Sequence, residues 1–333
     1  MKNITIQDIA KEANVSKSTV SRVLNGTATV HPDKHKAVME ASKRLGFKPN
    51  FVAQSLAKGR SMTIGVLTQN IGSPFYDAIA QGVIAGLDQT TYSPIFVDGQ
   101  WSKAKEAESI RTLADRRPDG LLLIGGELAA EEILELSDNL HTIVIARRLD
   151  DVQPIQFYVD NRQAAFRTTQ YLIQQGHREI IFVKGLENHQ DAKERLEGYK
   201  AALEDAGIAY HPERVLPGDF TAEMAEKSVE KLISQKVPFT AIFAANDITA
   251  YGARLALYRR QIEVPGQVSL VGFDNQMESA FVTPPLTSVQ QPAREMGEAA
   301  AQALLSMIEG VTVDSKEFQG VLQERESVRR VER

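Results

Sequence analysis

The stretch "NHQDAKERLEGY" sets Asp191 and Arg195 four residues apart, on one face of a helix. Two apolar runs end in polar side chains: "AIFAAND" in Asn246 and Asp247, and "VSLVGFD" in Asp274 and Asn275. "GVLTQNIGSPFY" places Phe75 and Tyr76 just after another such run. A carboxylate accepts paired hydroxyl hydrogens, a guanidinium donates in a fork, and an aromatic face covers the C–H side of a ring. Those groups around one aromatic floor have the chemistry of a sugar site. Singly, each residue has a plainer reading: Asp274 and Asn246 as helix caps, Asp191–Arg195 as an exposed pair, Phe75 as core.

A second constellation is "VSKSTVSRVLNG", residues 15–26. Val20, Val23 and Leu24 are apolar at helical spacing, and Lys17, Ser18, Thr19, Ser21 and Arg22 between them are small or cationic. The segment has no acid. A helix that excludes carboxylates and keeps most side chains short can approach a polyanion. Hydroxyls donate to phosphate oxygens, Lys and Arg reach guanine acceptors, and the helix N-terminus favours anions.

The elements that would position this second set are readable. Thr5 and Asp8 form a capping-box variant, and Ile6, Ile9, Ala10 and Ala13 follow at helical spacing. Asn14 can end that helix in the left-handed conformation, and Ser16 can cap the next. A third run carries Ala37, Val38, Ala41 and Leu45 and stops at Gly46. Two short helices and a tight turn make a helix-turn-helix, whose second helix enters the major groove. From Asn50 the segment "NFVAQSLAK" carries Val52, Ala53, Leu56 and Ala57 as an apolar stripe, too short to be stable as a free helix.

From Met62 the texture changes. "TIGVLT", "PIFVD", "GLLLI" and "TIVIA" read as buried parallel strands, with helices such as "PFYDAIAQGVIAGL" between them. The pattern restarts near Phe157 with "QFYVD", "REIIFVKG", "TAIFAAND" and "VSLVGFD". This predicts an α/β body of two doubly wound lobes, with ligands at the C-terminal ends of the strands.

Composition agrees with this division. The 333 residues carry a net charge of -5, yet residues 1–60 hold 11 Lys+Arg against 4 Asp+Glu. A basic head on an acidic body reads as a polyanion-binding module joined to something else. There is no cysteine, so disulfides and thiolate chemistry are excluded, which suits a cytoplasmic setting. No apolar run approaches a membrane span, and the first residues carry no signal-peptide core. Neither GxGxxG nor GxxxxGK[ST] occurs, and no HExxH surrounds His31 and His35. No enzyme, cofactor or metal is expected. A transport-binding protein would suit the body but not the basic head.

"TIQDIAKEANVSKSTVSRVLNG", continued by "RLGFKPNFVAQSLAKGRS", resembles the headpiece of the LacI/GalR (lactose-repressor) family of bacterial transcription regulators. The resemblance extends over essentially the whole chain. It implies a helix-turn-helix headpiece at 1–49, a hinge at 50–60, and a periplasmic-binding-protein-like body at 61–333. Lobe 1 would hold about 61–160 and 291–320, and lobe 2 about 161–290 and 321–333. The residues assigned to DNA are Thr5, Ser16, Lys17, Ser18, Thr19, Ser21, Arg22, Asn25, Asn50, Ala53 and Leu56. Among them Lys17, Ser18 and Arg22 would read bases, and Leu56 would wedge into the minor groove and kink the duplex. Position 31 departs from the pattern, which often has Ser or Thr there; His31 is a weaker cap, partly offset by Pro32.

In the body, the resemblance assigns Phe75, Tyr76, Asp191, Arg195, Phe220, Asn246 and Asp274 to a small-molecule effector. Trp101 and Asp98 are looser candidates, and Lys193 and Arg147 could answer a phosphate or an acid group. Asn246 favours a sugar over a purine, because purine-responsive members tend to lack that amide. The implied protein is a ligand-responsive regulator, expected to be a repressor, on a near-palindromic operator. The chain stops at "ESVRRVER" without appended leucine heptads, so a homodimer and not a tetramer is expected. A purine- or sugar-phosphate-responsive regulator of the same family is the alternative.

Overall fold

The computed structural model describes residues 4–25, 30–47, 60–137, 140–149 and 153–332. It divides into two units, Met1–Ser61 and Met62–Arg333. Asn50, Ala53 and Leu56 lie outside the described residues, as does the side chain of Asn25.

The first unit has three helices, α1 (Ile6–Glu12), α2 (Lys17–Asn25) and α3 (Pro32–Leu45). Thr5 caps α1: its hydroxyl accepts from the Asp8 backbone at 3.4 Å, and the Asp8 carboxylate accepts the Thr5 N–H at 2.8 Å. Asn14 takes φ 49° between α1 and α2, and Ser16 caps α2 through Thr19 N–H at 3.1 Å. His31 precedes α3 without a side-chain cap bond, with Pro32 at the first helical position. Ile9, Ala10, Val20, Val23, Val38 and Ala41 form the core. Ile6 does not join it: it is exposed, because at the first helical position it precedes the turn that faces α2 and α3.

The second unit runs β1 (Thr63–Thr68), α4 (Pro74–Leu87), β2 (Ser93–Asp98), α5 (Lys103–Asp115), β3 (Gly120–Ile124), α6 (Ala130–Leu136), β4 (His141–Ile145) and β5 (Ile155–Val159). It continues with α7 (Asn161–Gln174), β6 (Ile180–Val183), α8 (Gln190–Asp205), β7 (Val215–Leu216), α9 (Ala222–Ser234), β8 (Ala241–Ala244), α10 (Asp247–Arg259) and β9 (Ser269–Asp274). Then follow β10 (Thr287–Gln290), α11 (Ala293–Ile308), β11 (Lys316–Phe318) and β12 (Val321–Gln323).

These strands form two sheets, ordered β2-β1-β3-β4-β5-β11 and β7-β6-β8-β9-β10-β12. All pairings are parallel except β10–β12. Each sheet is covered on both faces, the first by α4 and α11 on one side and α5 and α6 on the other. The second is covered by α9 and α10, and by α7 and α8. Burial on both faces is why β3, β6 and β8 are uninterrupted apolar runs.

The "QFYVD" strand, which opens the restarted pattern in the sequence, pairs with β4 and belongs to the first sheet. Strand periodicity carries no information about sheet membership. The chain crosses between sheets after Val159, after Gln290 and again between Phe318 and Val321. Both sheets reverse strand order beside their first strand, which opens a crevice at the strand C-termini.

Candidate functional site

In the head, α2 presents Lys17, Ser18 and Arg22 to solvent, with Thr19 and Ser21 half-buried beside them. Its first turn holds no acid. The Ser16 hydroxyl lies 2.8 Å from those of Ser18 and Thr19. Thr5 and Ser16 therefore use their side chains as caps, and any phosphate contact they make adds to that role. Val20 and Val23 anchor the opposite face, so the polar face is held at a fixed angle by the core.

In the body, a cavity of about 520 Å³ lies at the strand C-termini, between residues of the two sheets. Phe75, Tyr76, Asp191, Arg195, Phe220, Asn246 and Asp274 all line it. Each is placed by an element end. Phe75 and Tyr76 sit in the first turn of α4, after β1. Asp191 and Arg195 belong to α8, and Asn246 and Asp274 follow β8 and close β9.

Arg195 is almost fully buried and heavily engaged. Its Nε donates to Asn161 Oδ1 at 2.9 Å and its Nη1 to the Ala245 carbonyl at 2.5 Å. Its guanidinium lies 3.8 Å from the centre of the Phe273 ring. Asp191 and Asp274 approach it at 3.7 and 3.8 Å. Two carboxylates thus share one cation in a buried place. Burial pushes Asp274 up to about 7 against the pull of Arg195, and Asp247 and Asp191 add to the rise. Gln291 Nε2 also donates to Asp274 Oδ1 at 2.8 Å.

The plainer readings are partly correct. Asn246 Oδ1 accepts from Thr249 N–H at 2.8 Å, so the residue caps α10 as well as lining the cavity. Asp274 caps no helix, and Asp191–Arg195 is an internal pair. Phe75 both packs on the core and lines the cavity. Asp98 accepts from the Ile71 and Gln100 backbones, so it holds loops and is outside the lining. Asn275 Oδ1 accepts from Arg325 Nη2 at 2.6 Å. Lys193 is exposed and lines neither chamber described here.

Several residues were not singled out by the sequence. His189, just before α8, stacks on Trp101 with ring centres 3.9 Å apart and lies 5.8 Å from Phe220. It thereby joins the aromatic groups of the two lobes; Tyr76 and Phe75 extend the row from Trp101. Burial lowers the His189 pKa and favours the neutral ring. Its place one residue before the helix that carries Asp191 and Arg195 was the available signal.

Phe220 has φ 67°, and its ring lies against Gly185, where a Cβ would come within 2.1 Å of the ring. Asp247 accepts from Gln276 N–H at 2.7 Å and from the Ser279 and Ser288 hydroxyls at 2.6 Å. It fixes the loop that bears Asp274. A smaller chamber of about 20 Å³ adjoins the cavity through Tyr76, Trp101 and Asp191 and is also lined by Arg147 and His189.

This arrangement is a helix-turn-helix head together with a two-lobed α/β body that holds a cavity at its strand C-termini. Residues 5–50 match the family described as bacterial regulatory proteins, lacI family, and residues 169–328 match the periplasmic binding protein-like domain. Catabolite control protein A of Priestia megaterium is 35% identical over 315 residues, 94% of this chain and 95% of that one. The transcriptional repressor PurR of Aliivibrio salmonicida is 33% identical, covering 91% and 92%.

Among solved structures, the lac repressor dimer bound to operator and an anti-inducer superposes with a TM-score of 0.90 at 25% identity, covering 98% and 100%. A complex of the regulator CelR with cellobiose gives 0.73 at 30%, covering 97% and 99%. The chain belongs to the LacI family of bacterial transcriptional regulators, which bind DNA and are not enzymes. Among the described residues no helix is long and apolar enough to cross a membrane.

Proposed function

We propose that this regulator is a homodimeric repressor of a near-palindromic operator, and that its effector is a sugar. The observation that carries the sugar reading is the single cavity that gathers Asp191, Arg195, Asn246 and Asp274 with Phe75, Tyr76 and Phe220. Carboxylates and amides there can meet hydroxyls while the rings cover apolar faces. The cellobiose bound by CelR supports the same reading, whereas PurR keeps a purine in view at similar identity.

Base reading falls to Lys17, Ser18 and Arg22, phosphate contacts to Thr19, Ser21 and Asn25, and the central kink to Leu56 with Asn50 and Ala53. Ligand acts only through unequal affinities for the DNA-competent and incompetent arrangements; a coupling of ~1–3 kcal/mol makes a working switch.

The dimer reading is supported by an exposed apolar patch. Leu255 and Tyr258 lie on α10, which is tied to the Met277–Ala280 turn by a Tyr251–Ser279 hydroxyl contact of 2.8 Å. Met277 and Phe281 are on that neighbouring segment, and Tyr258 and Phe281 are each 78% exposed. A second copy covering this patch accounts for it.

Selection from random duplexes, with and without a panel of sugars and purines, tests the whole reading. A palindromic consensus whose recovery changes with a sugar is expected; a purine alone changing it overturns the sugar assignment. Sedimentation of Phe281→Asp should show monomer; an unchanged dimer removes the patch from the interface.

A further inference from the structure

The charge and size of the cleft narrow the ligand further, on the reading that it is a sugar. We infer that the cleft selects an unphosphorylated saccharide of more than one ring.

Charge comes first. The main cavity is lined by four carboxylates, Asp191, Asp219, Glu223 and Asp274, and by one cation, Arg195. The charge of Arg195 is already shared by Asp191 and Asp274, so it brings no surplus positive charge to an incoming anion. Asn161, the Ala245 carbonyl, Asp191, Asp274 and the Phe273 face already occupy it. A phosphate entering there would meet Asp219 and Glu223, for which the lining holds no cation beyond Arg195.

The smaller chamber holds Arg147, whose Nη1 is buried without a hydrogen-bond partner. Glu106, Glu127 and Glu132 all act on Arg147, so its surroundings are not positive. Arg148 also borders this chamber, but it is exposed and packs over Tyr158 at 5.7 Å. The chamber's 20 Å³ holds about one water. A phosphate group does not fit it. A single hydroxyl does, and it would meet Arg147 Nη1 and His189 Nδ1, which is likewise buried and unpartnered.

Size comes second. The main cavity has room for roughly 17 waters at ~30 Å³ each, more than one hexose ring displaces. It also offers aromatic faces from both lobes. Phe75 and Tyr76 come from α4 of the first lobe, and Phe220, backed by Gly185, comes from the second. Aromatic surface drawn from both lobes, joined through Trp101 and His189, is longer than one ring covers.

The test uses full-length protein. Calorimetry and thermal shift would compare glucose, galactose, cellobiose, maltose, lactose, sucrose and trehalose with 6-phosphates of the same sugars. At least one disaccharide should bind about ten-fold or more tighter than its monosaccharides and than its own 6-phosphate, ~1.4 kcal/mol in each comparison. A monosaccharide or a phosphate that binds tightest overturns this inference and leaves the sugar reading standing. No binding by any sugar, with a purine or nucleoside binding instead, overturns the sugar reading itself; silence across the whole panel does the same. The double variant Asp219→Asn/Glu223→Gln should narrow discrimination against the 6-phosphate several-fold. Unchanged discrimination overturns the charge argument.

Discussion

The head and the cleft arrange their polar side chains in opposite ways. In the head, Lys17, Ser18 and Arg22 point outward from one helix and the core behind them is apolar. In the cleft, the Arg195 and Asp274 side chains are buried 3.8 Å apart, Arg195 donating to Asn161 and Asp274 accepting from Gln291. DNA is large and already charged, so an exposed face suffices to meet it. A small ligand must be surrounded, so its contacts are buried and their charges must be balanced within the protein. A change in the head should therefore alter recognition with little cost in folding, while a change in the cleft should do both.

The largest contrast is expected from Arg195→Ala. It leaves Asp191 and Asp274 without their shared cation and should cost the body ~3–5 kcal/mol in denaturant unfolding, together with ligand response. A variant as stable as the parent and still responsive would break the contrast.

The pH dependence of the body is the next test. Asp274 is raised to about 7 and Asp247 to about 6, above the ~3.9 of an unfolded Asp. The folded state thus holds more protons between those values, and its stability falls as pH rises from about 4 to about 7. One such group gives at most ~1.4 kcal/mol per pH unit. Asp274→Asn should flatten the upper part of the curve, and an unaltered slope would show that burial does not outweigh Arg195 at Asp274.

On the head side, Arg22→Ala should lose roughly 1–3 kcal/mol of operator binding and relax base preference, with body unfolding unchanged. Equal weakening on every duplex would make Arg22 a phosphate contact. The smallest effect is Thr5→Ala, about 1 kcal/mol of head stability through the lost cap, read by thermal unfolding of the full chain. A head transition that stays in place would show that α1 is held by its core contacts alone.

Much of this was legible in the sequence because it is local. The capping pair Thr5–Asp8, the turn at Asn14 and the apolar spacing of Val20 and Val23 all lie within a few residues, where helical geometry dictates who meets whom. The buried strands were legible as apolar runs. "QFYVD" was harder, since a strand's hydrophobicity is the same whichever sheet it joins.

By itself, then, the order of residues determined the three head helices, the parallel α/β character of the body and the polar residues at its strand ends. Only the tertiary structure decided that Arg195 would be shared by two carboxylates, that His189 would join Trp101 to Phe220, and that Asp98 would hold loops. Asp191 is four residues from Arg195, but the other partners lie far apart along the chain, 79 residues for Arg195 and Asp274 and 88 for Trp101 and His189. Their meeting depends on how two sheets are assembled from a chain that crosses between them, and no short-range periodicity encodes that.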